Sequence, residues 1–314
     1  MDRPPLRLVV DTDMGCDDAI ALLMAALAPG VELEAVTVVA GSVPVERAVR
    51  GALAVLALAG RPDVPVHAGA ARPLARELVT APEVHGADGL GGAPVPASEG
   101  APSPIPAADA LRRLAAEAPR RLALVALGPL TNVATALAAE PGLLTGFARV
   151  CAMGGAPDGI GNAGPFAEYN LWADPDAADA VLTAGVPVTL VGLDVARRAA
   201  VLSARERRLL AGSPHPAGRL AARLAGGLAE RLAAFGADAA CLSDPLAMAV
   251  AIAPELVTGV ERGRASVVRS DRGRGMLRLR EDPAGVVEVV ADVDAAGFRR
   301  LLLASLGATL PAPA

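Results

Sequence analysis

Short apolar runs alternate with longer amphipathic stretches along most of this 314-residue chain, and that alternation restricts its fold most. Parallel strands need a crossover of a dozen or more residues, usually a helix, so the pattern implies an open, mostly parallel α/β sheet with helices on both faces. Leu6–Val10, Leu33–Val39, Val64–His67, Leu122–Leu127, Ala148–Met153 and Val188–Leu193 read as buried strands. Asp17–Ala28, Val43–Ala59, Ala107–Ala118, Leu130–Ala139 and Pro175–Ala184 carry the helical period, the first opening on an Asp N-cap. Ser203–Phe235 then reads as mostly helical, broken around Ser213–Pro216, and Asp244–Ala253 as a helix. Val257–Val290 reads as short strands around the polar Ser270–Gly275 turn, with a closing helix at Asp294–Leu306. No repeat or low-complexity linker divides residues 1–314, so a single Rossmann-like domain is expected, its ligand site beyond the carboxyl ends of the strands. Two Gly/Pro-rich loops, about 70–106 and 153–174, are long enough to be functional or mobile.

Hydrophobic residues make up 53% of the chain and aromatics 2%, so the core must be built from Ala, Leu and Val. A net charge of -5 offers no basic face to a nucleic-acid backbone. Cys16, Cys151 and Cys241 show no CxxC spacing, which argues against a disulfide framework and fits a reducing compartment. Met1–Pro5 leads directly into a strand pattern with no signal-peptide core, and the uncharged stretch Leu122–Ala139 contains Gly128-Pro129, Thr131, Asn132 and Thr135. That stretch reads as strand, turn and helix, not as a membrane span. A cytoplasmic protein without membrane or nucleic-acid partners is expected.

The first strand leads into four carboxylates within eight residues: Asp11, Asp13, Asp17 and Asp18. Gly15 permits the sharp turn, and the helix N-terminus favours negative charge by only ~1 kcal/mol per group. That does not offset four crowded carboxylates, whereas a bound cation would. Oxygen ligands indicate a hard ion: calcium if several protein oxygens converge, magnesium if waters dominate. The plain alternative, one Asp capping the helix and the rest solvated, suits any single Asp better than all four.

The stretch Asp11-Thr12-Asp13-Met14-Gly15-Cys16-Asp17-Asp18-Ala19-Ile20-Ala21-Leu22 resembles the DTDxGxDDAxAL signature of the inosine–uridine-preferring nucleoside hydrolases. Motifs in that family's order extend over most of the chain. Val39-Ala40-Gly41-Ser42 resembles its VVGN, with Ser42 in place of Asn, and His85–Gly91 resembles its HGxDGLG flap over the base. Gly128–Asn132 resembles GPLTN, Met153–Asn170 resembles MGGx…GNxxPxAEFN, and Ser243–Ala247 resembles HDPxA, with Ser243 in place of His. The resemblance implies the nucleoside hydrolase fold and hydrolysis of the N-glycosidic bond of ribonucleosides with one Ca2+. By position, Asp13, Asp18, Asp244 and the Leu127 carbonyl would hold calcium, and Asp13 would accept a proton from the attacking water. Asp17, Asn162, Glu168, Asn170 and Asp244 would bind ribose, His85 would cover the base, and Asp11 would stand behind the ligands. A homodimer or homotetramer is implied as well.

In relatives that carry it, the His before the last Asp protonates the departing base; serine cannot do so at neutral pH without an activating partner. His85 and His215 are the other candidates, and Phe166, Tyr169, Trp172 and Phe235 are the aromatics near candidate loops. No GxGxxG spacing points to a dinucleotide. Two other readings stand beside the hydrolase. A DxD phosphatase would use Asp11 and Asp13, but the motif segments lack a Lys or Arg for phosphate. A non-catalytic nucleoside or ribose binder would have lost chemistry through Ser42 and Ser243, although it would not need Asp13.

Overall fold

Leu8 and Val10 pack against one layer of helices and Val9 against the other, so the first strand is buried on both faces. That is the environment of a parallel strand, and it explains why Leu8–Val10 reads as a continuous apolar run. The computed structural model describes residues 4–236 and 241–309. Met1–Arg3, part of the leader-free reading, lie outside the described residues.

The chain runs β1 (Leu6–Thr12), α1 (Cys16–Leu27), β2 (Val31–Val38), α2 (Val45–Leu58), β3 (Val66–Ala68), α3 (Pro82–His85), α4 (Ala107–Glu117), β4 (Leu122–Ala126) and α5 (Thr131–Ala139). It continues through β5 (Arg149–Met153), α6 (Tyr169–Ala173), α7 (Pro175–Leu182), β6 (Val188–Val191), α8 (Leu193–Ala199), α9 (Ala204–Ala211), α10 (Pro216–Ala233) and α11 (Ser243–Ile252). It closes with β7 (Val257–Val267), β8 (Leu277–Glu281), β9 (Val287–Val293) and α12 (Ala295–Ser305). The described strands form one sheet in the order β3-β2-β1-β4-β5-β6-β9-β7-β8. Pairing is parallel from β3 across to β9, and β7 then runs antiparallel to both β9 and β8. The cores on either side are rich in Ala, Leu and Val: α1, α2, α10, α11 and α12 cover one face, α4, α5 and α7 the other.

Three local readings change. Helix α1 begins at Cys16 with Gly15 as N-cap, so Asp17 is not the cap. Instead Asp18 reaches back, its Oδ2 accepting the Gly15 N–H at 2.9 Å. The strand expected over Val188–Leu193 ends at Val191, and Leu193 opens α8, an unexpected helix. Each of the two long loops contains a short helix, α3 and α6.

Candidate active site

Strands β1 and β4 are neighbours at the point where the strand order reverses, and a crevice opens beyond their carboxyl ends. As the chain leaves β1, buried Met14 takes φ 56°, a left-handed conformation uncommon outside glycine. Its N–H donates to Thr12 Oγ1 at 3.0 Å, and the same hydroxyl donates to Asp18 Oδ1 at 2.6 Å. This turn presents Asp13 to the crevice and aims α1 so that Asp17 and Asp18 follow it there.

Asp13, Asp17, Asp18, His85, Leu127, Asn162, Glu168, Asn170 and Asp244 line one cleft of about 70 Å³. All nine positions expected from the sequence are therefore brought together. Ser42, Met153, Tyr169 and Ser243 complete the lining, and no Arg or Lys is among these residues. Asp11 stands behind: its Oδ1 accepts from Thr37 Oγ1 at 2.6 Å and Asn132 Nδ2 at 2.8 Å, while its buried Oδ2 has no partner among the described residues.

Each side chain has an identifiable support. The Ser42 N–H donates to Asp13 Oδ2 at 2.6 Å, so the serine in the usual asparagine position still supplies a main-chain donor. A Cβ on Gly41 would sit 2.1 Å from that same oxygen, which leaves glycine alone able to pass so close. Asn170 Nδ2 donates to the Leu127 carbonyl at 2.6 Å. Both oxygens of Glu168 are engaged by main chain: Oε1 accepts the Asn170 N–H at 2.8 Å, and Oε2 those of Gly155 at 3.1 Å and Leu171 at 3.3 Å. Glu168 thus caps α6 as well as lining the cleft. Asn162 is exposed and accepts the Tyr169 N–H at 2.9 Å. His85 Nδ1 accepts the Cys16 N–H at 3.0 Å and lies 3.9 Å from Asp17 Oδ1, which seats the flap on the start of α1.

Crowding and burial act on the acids in one direction. Burial lifts Asp11 to about 7, and burial and the charge of Asp18 lift Asp17 to about 7. Burial raises Glu168 to about 7 against the main-chain N–H groups it accepts. Asp13 and Asp244 are raised well above the usual carboxylate range by burial and by neighbouring aspartates. Burial lowers His85 to about 4, so it is neutral near pH 7; since Nδ1 accepts a hydrogen bond, its proton lies on Nε2.

Asp17, Asp18 and Asp244 offer carboxylate oxygens within 4.8 Å of one another. An all-oxygen, anionic, buried donor set with no basic side chain in its lining fits a hard cation. This trio includes Asp17, which the resemblance assigned to ribose; Asp13 lines the same cleft without belonging to it.

Some candidates fall away. His215 accepts the Ala217 N–H at 3.2 Å, capping α10, and is not in the cleft. Trp172 lies under the Arg274 guanidinium at 3.9 Å, and Phe166 and Phe235 are exposed and outside the lining. Only Tyr169 of the four aromatics reaches the site, its hydroxyl donating to the Val79 carbonyl at 2.8 Å and tying the two long loops together. Asn132 and Thr131, which the sequence places in a turn, hold Asp11 and Asp174 respectively, at 2.8 and 2.7 Å. Two buried polar residues in the first turn of α5 were the available signal.

No described helix is long and apolar enough to cross a membrane. The family described as inosine-uridine preferring nucleoside hydrolase matches residues 8–300. A pyrimidine-specific ribonucleoside hydrolase RihA from Klebsiella pneumoniae subsp. pneumoniae is 40% identical over 264 residues, 82% of this chain and 83% of the relative. The protein of the same name from Salmonella gallinarum is 37% identical over 305 residues, 95% of this chain and 97% of its own. Among solved structures, a plant nucleoside hydrolase superposes with a TM-score of 0.90 at 32% identity, covering 99% of this chain and 100% of the other. A purine-preferring ribonucleoside hydrolase from Gardnerella vaginalis gives 0.90 at 30% identity, covering 96% and 98%. With the family matched over residues 8–300, relatives at 37–40% identity and the whole fold superposing, the chain belongs to the inosine–uridine-preferring nucleoside hydrolase family.

Proposed function

We propose that this hydrolase cleaves ribonucleosides to ribose and free base with Ca2+ as cofactor and Asp13 as general base, and that it takes pyrimidine ribonucleosides first. The observation that carries the reading is the buried carboxylate cluster of Asp17, Asp18 and Asp244 in a cleft it shares with Asp13, Asn162, Glu168 and Asn170. Asp13, Asp18, Asp244 and the Leu127 carbonyl would hold calcium, which when bound supplies polarisation of a water and of the ribose hydroxyls.

Asp13 is held through one carboxylate oxygen by the Ser42 N–H, and its raised proton affinity suits a base. It accepts a proton from the water as the new bond to C1′ forms. The C1′–N bond breaks, and its electron pair leaves with the base. Asp17, Asn162, Glu168, Asn170 and Asp244 orient the sugar, and orientation is one of the large contributions to rate. Acceptors aimed at hydroxyls also penalise a sugar that lacks one. Neutral His85 and the Ser243 hydroxyl can donate hydrogen bonds to the departing base, which then takes its proton from solvent.

The pyrimidine preference rests on the two RihA relatives named above, which are described as pyrimidine-specific. Assembly into a homodimer or homotetramer belongs to the same proposal and is read by light scattering. A phosphatase reading lacks support, because the cleft lining holds no cation for phosphate. Ribose release should be measured over uridine, cytidine, inosine, adenosine and guanosine, with and without a chelator. Chelator-sensitive turnover with the highest kcat/KM on uridine or cytidine is expected. Calcium binding without turnover of any nucleoside would refute the hydrolytic role and favour a binder.

A further inference from the structure

Arg231, in the last turn of α10, does not line the cleft, yet its guanidinium reaches three parts of the rim. Nε donates to the Val84 carbonyl at 2.6 Å, Nη2 to the Cys16 sulfur at 3.1 Å, and Nη1 lies 3.5 Å from the Gly91 carbonyl. Val84 and Gly91 bracket His85 in the flap, and Cys16 opens α1, where its N–H meets His85 Nδ1. Gly91 has φ 61°, and a Cβ there would lie 2.4 Å from Arg231 Nη2, so the flap makes room for the guanidinium. No carboxylate pairs with Arg231 in an ion pair among the described residues. Three of its five N–H donors go to two carbonyls and a thiol. A planar fork can hold all three at once, which the single ammonium of lysine cannot.

The cleft of about 70 Å³ is small for a nucleoside, since small-molecule sites run from about 300 Å³ upward. Through His85 the flap forms one wall of this cleft, so its position sets the space open to a nucleoside. We propose that Arg231 is a positioning residue that latches the flap, residues 82–92, onto α1 and α10 and so sets the closed position of His85 over the ribose cleft. This rests on the nucleoside hydrolase reading. Opening exchanges the two carbonyl contacts for water while Cys16 stays in place on α1.

The test uses the full-length, calcium-loaded protein with Arg231→Gln, Arg231→Lys and Gly91→Ala, the last disturbing the same contact from the flap side. In Arg231→Gln, amide exchange over residues 84–91 should accelerate about tenfold, what the loss of one or two ordinary hydrogen bonds amounts to. KM for the best nucleoside should rise about tenfold, with kcat within about threefold and calcium affinity unchanged. Arg231→Lys should fall between, and Gly91→Ala should reproduce the exchange result. Unchanged flap exchange and KM would overturn the proposal, as would kcat, KM and calcium affinity deteriorating together with a lower Tm, the mark of a purely structural residue. Should the wild type turn over no nucleoside, the exchange measurement alone decides the latch, so the two failures are distinguishable. If Arg231→Gln does not fold, Arg231→Lys and Gly91→Ala carry the same readouts.

Discussion

Asp13 and Asp17 stand four residues apart in the chain but are held differently, and that difference can be measured. Asp13 is pinned by the Ser42 N–H in the space left by Gly41. Asp17 instead faces Asp18, Asp244 and His85 across the cleft. Asp13→Ala should lower kcat by ~10³-fold, within the range for losing a general base. Asp17→Asn should raise KM while leaving calcium affinity within about threefold, because one sugar contact is a modest binding term. Calorimetric calcium titration beside initial rates checks both; a calcium loss in Asp17→Asn equal to that in Asp18→Asn would move Asp17 into the metal set. Four carboxylates in eight residues were legible as a candidate cation site because their mutual repulsion favours a counter-charge. The Ser42 support was not legible, since it is a main-chain group delivered by the loop after β2 and no side-chain motif reports it.

Among the elements, the joint made by Asp174 does the most positioning for its size. Its Oδ1 caps α7 by accepting the Ala177 N–H at 3.0 Å. Its Oδ2 accepts the Leu74 N–H at 2.8 Å and the Thr131 hydroxyl at 2.7 Å, joining the first long loop and α5 to the end of the second loop. Removing a cap and leaving buried donors unpaired costs about 2–4 kcal/mol, so Asp174→Ala should lower Tm by several degrees in a calorimetric scan. Asp174→Asn should recover part of the loss, and an unchanged Tm in the alanine variant would refute the joint. The long helices and buried strands could be read from apolar spacing. Helices α3, α6 and α8, of 4, 5 and 7 residues, could not, because two turns or fewer cannot establish a period.

At the scale of the molecule, the buried acids couple stability to pH and metal. Asp11, Asp17 and Glu168 are raised to about 7 in the fold, with Asp13 and Asp244 raised as well. An acid whose folded pKa exceeds its unfolded value holds its proton more tightly when folded. Its contribution is therefore fully present below about 4 and is lost as pH rises through about 7. His85, lowered to about 4 by burial, acts oppositely: its neutral form supports the fold above about 6.5, and that support fades as pH falls toward 4. With several acids against one histidine, metal-free protein should show a lower Tm at pH 8 than at pH 6. Calcium should remove that fall, and its affinity should grow over the same interval as it displaces the protons. Scanning calorimetry at both pH values, with and without calcium, measures this; a metal-free Tm that rises from pH 6 to 8 would contradict it.

By itself the sequence determined the parallel α/β class, the succession of its longer elements and the acidic cluster at the end of β1, because apolar period and carboxylate crowding are local properties; the other candidate positions came from likeness to the family's motifs. Only the tertiary structure decided that β4 lies beside β1, so that Leu127, Asn170 and Asp244 meet Asp13 and Asp18 across intervals of a hundred residues and more. Only it decided that Glu168 is a helix cap as well as a cleft residue, and that Arg231 holds the flap. Strand order and loop closure depend on the packing of distant segments and on main-chain donors, which carry no signature along the chain.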